Sequence, residues 1–263
     1  MDFTTKSTTS AAAAALAIVL AIALLLCGCG KSSDGEGANS SAAGASSQPS
    51  SNETDEAGDK AIKWVDPVFE ALIREFIDKP TGDIYQSELD HITMLQITGD
   101  NSIGINNWAK DGSNYSHGIV DIASLERIIN GVTYTERGEI SSVEDVKNFR
   151  NLSWFSVMFN SIVDVSPLAD MKSLRNIFLC GNLIEDISPL FGLNLYTLDV
   201  SGNRISSVAG IDAVQSTLYL VLSHNNISDI SPLAEMEFYW LEITGNPITD
   251  LSPLEHLGDI VVN

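Results

Sequence analysis

Apolar and polar positions recur with a fixed period from residue 149 onward. With asparagine as the origin, Asn160, Asn182, Asn203, Asn225 and Asn246 stand 22, 21, 22 and 21 residues apart. Five and three positions before each lies an apolar pair: Phe155 and Val157, Ile177 and Leu179, Leu198 and Val200, Leu220 and Leu222, Leu241 and Ile243. Two positions after each comes isoleucine (Ile162, Ile184, Ile205, Ile227, Ile248), and five after comes another apolar residue (Val165, Ile187, Val208, Ile230, Leu251). Apolar residues two apart share one face of a strand, so each repeat predicts a short strand with both side chains turned inward. The asparagine then turns the chain, its amide bonding to nearby backbone. One such unit cannot bury its apolar face alone, whereas stacked units share a core. The period therefore predicts an α/β solenoid, right-handed, with a curved parallel sheet on its concave side.

Four of the five copies continue as Asp, an aliphatic residue, then Ser-Pro-Leu, at 164–168, 186–190, 229–233 and 250–254. Serine as N-cap with proline at the first helical position predicts a short 3₁₀ turn on the convex side. The aspartates Asp164, Asp186, Asp229 and Asp250 are read as local turn caps. A calcium ladder would need the glycine-rich ligand loops that are missing here. The third copy, Ser206-Ser207-Val208-Ala209-Gly210, departs from the pattern and predicts a local bend.

The LxLxxNxI pattern is that of a leucine-rich repeat, and its DxSPL form closely resembles the internalin-type repeats of bacterial surface proteins. Upstream, Asp66 to Phe76, Lys79 to Ile84 and Leu89 to Ile97 resemble the small helical cap that opens many of these arrays. Val68, Leu72, Ile73 and Phe76 fall at helical spacing behind the start signals Asp66 and Pro67. The phrase Leu95-Gln96-Ile97-Thr98-Gly99 echoes Leu241-Glu242-Ile243-Thr244-Gly245 and places the first strand at 94–98. The expected layout is thus a cap over 63–93 and repeats over 94–263. Residues 99–148 fit the repeat poorly. Ile140 and Val143 keep register with Ile162 and Val165, Val132-Thr133-Tyr134 can serve as a strand, and 101–117 reads as an inserted loop. Adhesion-like binding of another protein is what the resemblance implies.

The first residues read as an address. Ala11 to Leu26 is uninterrupted apolar sequence, a helix of roughly 24 Å, shorter than the roughly 30 Å hydrocarbon core and suited to a secretory signal over 1–28. Leu26-Cys27-Gly28-Cys29 resembles a bacterial lipobox with Cys29 as the acylated thiol, since Gly28 gives the small residue before it. A plain cleaved signal or an uncleaved anchor helix are the competing readings. Residues 29–62, rich in Ser, Gly, Ala and acid, cannot bury enough apolar surface to order themselves and predict a flexible tether. Together these predict export and lipid anchoring at the outer face of the membrane of a Gram-positive-like bacterium. Loss of Cys27 and acylation of Cys29 leave Cys180 alone, so no disulfide forms in the mature chain.

Charge narrows the partner. Fourteen Lys and Arg against 35 Asp and Glu give a net charge of −21, which repels polyanions and excludes nucleic acid, while 44% apolar residues exclude wholesale disorder. The histidines His91, His117, His224 and His256 form no metal or catalytic pattern, and no nucleotide-binding glycine motif occurs, so no enzyme activity, metal or cofactor is expected. His224 reads as a solvent-facing turn residue. The positions between the inward pairs face the concave side. They are Trp154, Asn176, Thr197, Tyr219 and Trp240; Ser156, Phe178, Asp199, Val221 and Glu242; and Met158, Cys180, Ser201, Ser223 and Thr244. Exposed aromatics on a rigid sheet are typical protein anchors, so Trp154, Tyr219 and Trp240 with their neighbours form the expected partner-binding face. Cross-strand aromatic packing alone is the competing account. A glycan ligand on the same aromatics, or an envelope scaffold without ligand, are the alternatives. The last residues, Asp259 to Asn263, read as an edge strand through which a second copy can pair.

Overall fold

The computed structural model describes residues 59–99, 103–105, 137–214 and 219–262. Its centre is a sheet of β1 (Met94–Ile97), β2 (Ile103–Ile105), β3 (Trp154–Val157), β4 (Asn176–Phe178), β5 (Thr197–Asp199), β6 (Tyr219–Val221), β7 (Trp240–Glu242) and β8 (Val261–Val262). They lie in the order β2-β1-β3-β4-β5-β6-β7-β8. Every pairing is parallel except that of β2 with β1. This is the α/β leucine-rich-repeat solenoid that the period predicts. All ten residues of the inward pairs in the five copies are 0% exposed, so each adds a full aliphatic or aromatic burial of about 1.5–3 kcal/mol to one continuous core.

The asparagines bind coil to coil. Asn203 Oδ1 accepts the Ile184 N–H at 3.0 Å, while its Nδ2 donates to Leu179 O at 3.0 Å and Val200 O at 2.9 Å. Asn182 and Asn225 repeat the arrangement, each reaching back to the isoleucine of the preceding coil. Asn246 does the same at 2.9 to 3.0 Å. The expected turn role is thus joined by a second one, a hydrogen-bonded staple between neighbouring coils.

On the convex side the 3₁₀ turns are present, but serine is not their cap. The turns begin at Ser166, Ser188 and Ser231 with proline next, and no side chain of the preceding Val165, Ile187 or Ile230 caps them. The cap is the aspartate, whose carboxylate accepts the N–H of Ser166, Ser188, Ser231 or Ser252 at 2.8 to 2.9 Å. An acceptor two residues before an N–H closes an Asx turn that a serine hydroxyl at the turn itself cannot form. In the divergent third copy Ser207 takes the aspartate's place, its Oγ accepting the Ala209 N–H at 3.2 Å. The turn there starts later, at Ile211, behind Gly210 at φ 87°. Leu251, expected inside, is 39% exposed, unlike Val165, Ile187, Val208 and Ile230 at the same position of the other copies.

The first coil is interrupted. β1 pairs directly with β3, so residues 98–153 add no rung between them. The chain leaves the repeat at Gly99 and rejoins it at Gly138, where a Cβ on Gly138 would stand 3.0 Å from the Gly99 Cα. Ile140 then donates its N–H to Asn160 Oδ1 at 3.2 Å, as Ile162 does to Asn182. Of the expected loop at 101–117, residues 103–105 form β2; the rest, and Val132 to Tyr134, lie outside the described residues, as do the expected signal, Cys29 and most of the expected tether.

Ahead of β1, helix α1 (Pro67–Phe76) is capped by Asp66, which accepts the N–H of Val68 and Phe69. The buried stripe is Phe69, Leu72 and Ile73, with Val68 and Phe76 only partly covered. Phe69 thus replaces Val68 in the expected stripe, as it lies three residues before Leu72 and four before Ile73, the spacing that aligns side chains on one helix face. Asp145 accepts the N–H of Val65 and Asp66 at 2.8 Å, and Asp66 accepts those of Ser141 and Ser142. Two carboxylates therefore fasten this segment to the first coil. A short helix α2 (Gln86–Leu89) follows. No helix among the described residues is long and apolar enough to cross a membrane.

Candidate partner-binding face

Strand register converts the expected columns into neighbours. Trp154, Asn176, Thr197, Tyr219 and Trp240 pair in sequence across β3 to β7, extended by Met94 on β1. The second column is Gln96, Ser156, Phe178, Asp199, Val221 and Glu242. All lie on the sheet face opposite the inward pairs.

The face is less open than the sequence suggests. Trp154 and Phe178 are each only 8% exposed and Tyr219 5%, while Ser156, Met158, Thr197, Cys180, Ser201 and Ser223 are also buried. Trp154 and Phe178 stack with ring centroids 4.8 Å apart and planes 25° apart. Adjacent rungs lie about 4.8 Å apart, so flat side chains on neighbouring strands cover one another instead of facing solvent. Cross-strand packing is therefore the correct account of these two rings. Asn176, Asp199, Val221, Trp240 and Glu242 keep intermediate exposure. The open part is the half over β5 to β7. Its rim adds two residues missed in the sequence, Tyr196 at 42% and Tyr239 at 63% exposure. Each stands just before its strand, and Tyr239 packs on Tyr219 at 5.6 Å. An aromatic one place ahead of the strand column was the available signal.

Charge in this half is uncompensated. Asp199 on β5 and Glu242 on β7 flank Val221 in one column. Two rungs separate them by roughly 10 Å. Neither forms an ion pair among the described residues. Burial raises the Asp199 pKa against the pull of Ser201, whose N–H and hydroxyl both donate to Oδ1 at 3.0 and 2.7 Å. Burial, and then the charge of Asp199, raise the Glu242 pKa, while Ser223 and Trp240 partly offset this. Trp154 Nε1, the Tyr219 hydroxyl and Gln96 Oε1 on the same face are buried and make no hydrogen bond among the described residues.

The remaining candidates are structural. Cys180 is fully buried, and burial followed by Asp199 pushes its thiol pKa well up, which disfavours the nucleophilic thiolate. His224 is half-buried instead of facing solvent. It takes the left-handed φ of 55° that glycine supplies in sister coils, and its ring lies where a Cβ on Gly245 would come within 2.4 Å. No group of three or more metal-ligating side chains occurs among the described residues.

No protein-family model matches the chain, and none of the curated proteins matches it in sequence. Solved structures do match. An internalin of Listeria monocytogenes, InlF, is 21% identical with TM-score 0.44, over 75% of this chain and 75% of its own. Internalin C2 of the same organism is 24% identical with TM-score 0.42, over 75% of this chain and 92% of its own. The functional domain of InlJ, also from Listeria monocytogenes, is 17% identical with TM-score 0.32, over 71% of this chain and 52% of its own.

Proposed function

We propose that the chain is an exported protein-interaction scaffold, held by acylated Cys29 and a flexible tether on the outer face of a bacterial membrane. Its partner docks on the half of the concave face over β5 to β7. The observation that carries this reading is the pair Asp199 and Glu242, uncompensated on a rigid sheet beside Trp240, Tyr219 and Tyr239. A lysine or arginine side chain seated over Val221 lies within about 5 Å of both carboxylates, which flank it two rungs apart. Aromatic faces beside it add cation–π attraction. The partner is therefore a protein presenting a basic segment. The acidic surface of the scaffold speeds its encounter.

The test replaces Asp199 and Glu242 by Asn and Gln, and in a second variant Tyr239 and Trp240 by Ser, and measures capture of proteins from envelope and host-surface extracts. Loss of the same captured protein in both variants supports the docking face, whereas unchanged capture sinks it. Retention of binding only on glycan arrays assigns the aromatics to a sugar ligand instead. Cys29→Ser is expected to release the protein to the medium, and continued membrane association contradicts lipid anchoring.

A further inference from the structure

A second surface of opposite sign lies along the edge of the asparagine ladder. A cleft of about 330 Å³ there is lined by Arg137, Arg204 and His224 together with Gly202 and Gly245. Arg137 immediately precedes Gly138, where the chain re-enters the repeat. One of its nitrogens, Nη1, donates to Asn160 O at 3.1 Å and Gly181 O at 2.7 Å, so the guanidinium is anchored across two coils with its other nitrogens left over. Arg204 follows the ladder residue Asn203 and is exposed. Neither arginine forms an ion pair among the described residues, although acidic residues outnumber basic ones 35 to 14. Burial first, and then the charge of Arg204, lower the Arg137 pKa, so the two cations sit close enough to repel.

Two guanidiniums that line one cleft, with no ion pair among the described residues, form a receptor for a counter-charge. We infer that this cleft binds an oxyanion, a phosphate or carboxylate group, between Arg137 and Arg204. The fork of N–H donors on each guanidinium matches an oxyanion in bidentate fashion. The volume admits one such group with water. The overall charge of −21 does not forbid this, because screening at physiological ionic strength confines distant charges to about 8 Å, while the two arginines act at contact distance. The site is independent of the concave docking face and carries the opposite selectivity.

The experiment titrates inorganic phosphate, and separately acetate, into the full chain at constant ionic strength set with sodium chloride, following backbone amide shifts and melting temperature. Saturable shifts confined to residues 181, 202–204, 224 and 245 are expected, together with a rise in melting temperature. Arg204→Gln is expected to weaken the phosphate Kd at least about fivefold, as removal of a charge-assisted bidentate contact does. Arg137→Gln also removes a coil-bridging contact, so Arg204→Gln is the cleaner variant. Stronger binding of phosphate than acetate marks a phosphate group, and the reverse a carboxylate. Shifts reproduced by chloride alone, or a Kd unchanged in Arg204→Gln, overturn the assignment.

Discussion

The asparagine ladder and the concave column of Asp199 and Glu242 both place polar side chains on an apolar solenoid, yet they differ in how those groups are satisfied. Each ladder amide of Asn182, Asn203 and Asn225 has both its oxygen and its nitrogen bonded to backbone. On the face, among the described residues, Asp199 receives hydrogen bonds on one oxygen only, Glu242 has no cation, and the Tyr219 hydroxyl has no partner. A buried polar group with every bond made holds a fold together. One with bonds left over costs stability in the free chain and gains a use only when something binds. The contrast separates scaffold from site on a surface where residue type alone does not.

Breaking the ladder has the largest expected effect. Asn203→Ala strands the Ile184 N–H inside the core and removes one of the two amide hydrogen bonds at each of the Leu179 and Val200 carbonyls, which keep those from Asn182 and Asn225. A loss of about 3 kcal/mol is expected by urea denaturation, given the cost of unsatisfied buried groups. A loss below about 1 kcal/mol would show that the coils hold by apolar packing alone.

Neutralising the face runs the other way. The double substitution of Asp199 to Asn and Glu242 to Gln is expected to raise stability by about 1 kcal/mol at neutral pH, a few degrees of melting temperature, while abolishing capture of a basic partner. The magnitude is modest because both groups are partly solvated.

Acid titration sharpens the same comparison. The Asp199 and Glu242 pKa values are raised, so their contribution to stability is present once they are protonated and is lost as pH rises through the folded pKa. The stability advantage of the double variant should therefore shrink as the solution is acidified below neutrality. An advantage that stays constant down to pH 3 would contradict the burial of these carboxylates. The convex caps Asp229 and Asp250 behave oppositely. Hydrogen bonds from Ser231 and Ser252 lower their pKa, so their contribution is present at neutral pH and lost as pH falls through the folded pKa. Asp229→Ala is expected to give the smallest change of the set, a fall in melting temperature near the limit of calorimetry, because the group is fully solvent-exposed.

The sequence by itself determined the solenoid. A pattern repeated every 21 or 22 residues leaves one way to bury ten alternating apolar side chains, and the strand columns followed from period two. It also located the caps: the aspartate column read as turn caps does cap, whereas the serine also read as N-cap does not. Only the tertiary structure decided which concave residues remain open. Exposure of Trp154 or Phe178 depends on what stands on the next strand, and their rings close over each other. It alone brought Arg137 beside Arg204, residues from different coils with no motif in common. The physical reason is range: periodicity records which way each side chain points along its own strand, whereas burial, unpaired charge and clefts arise between strands brought together by the stack.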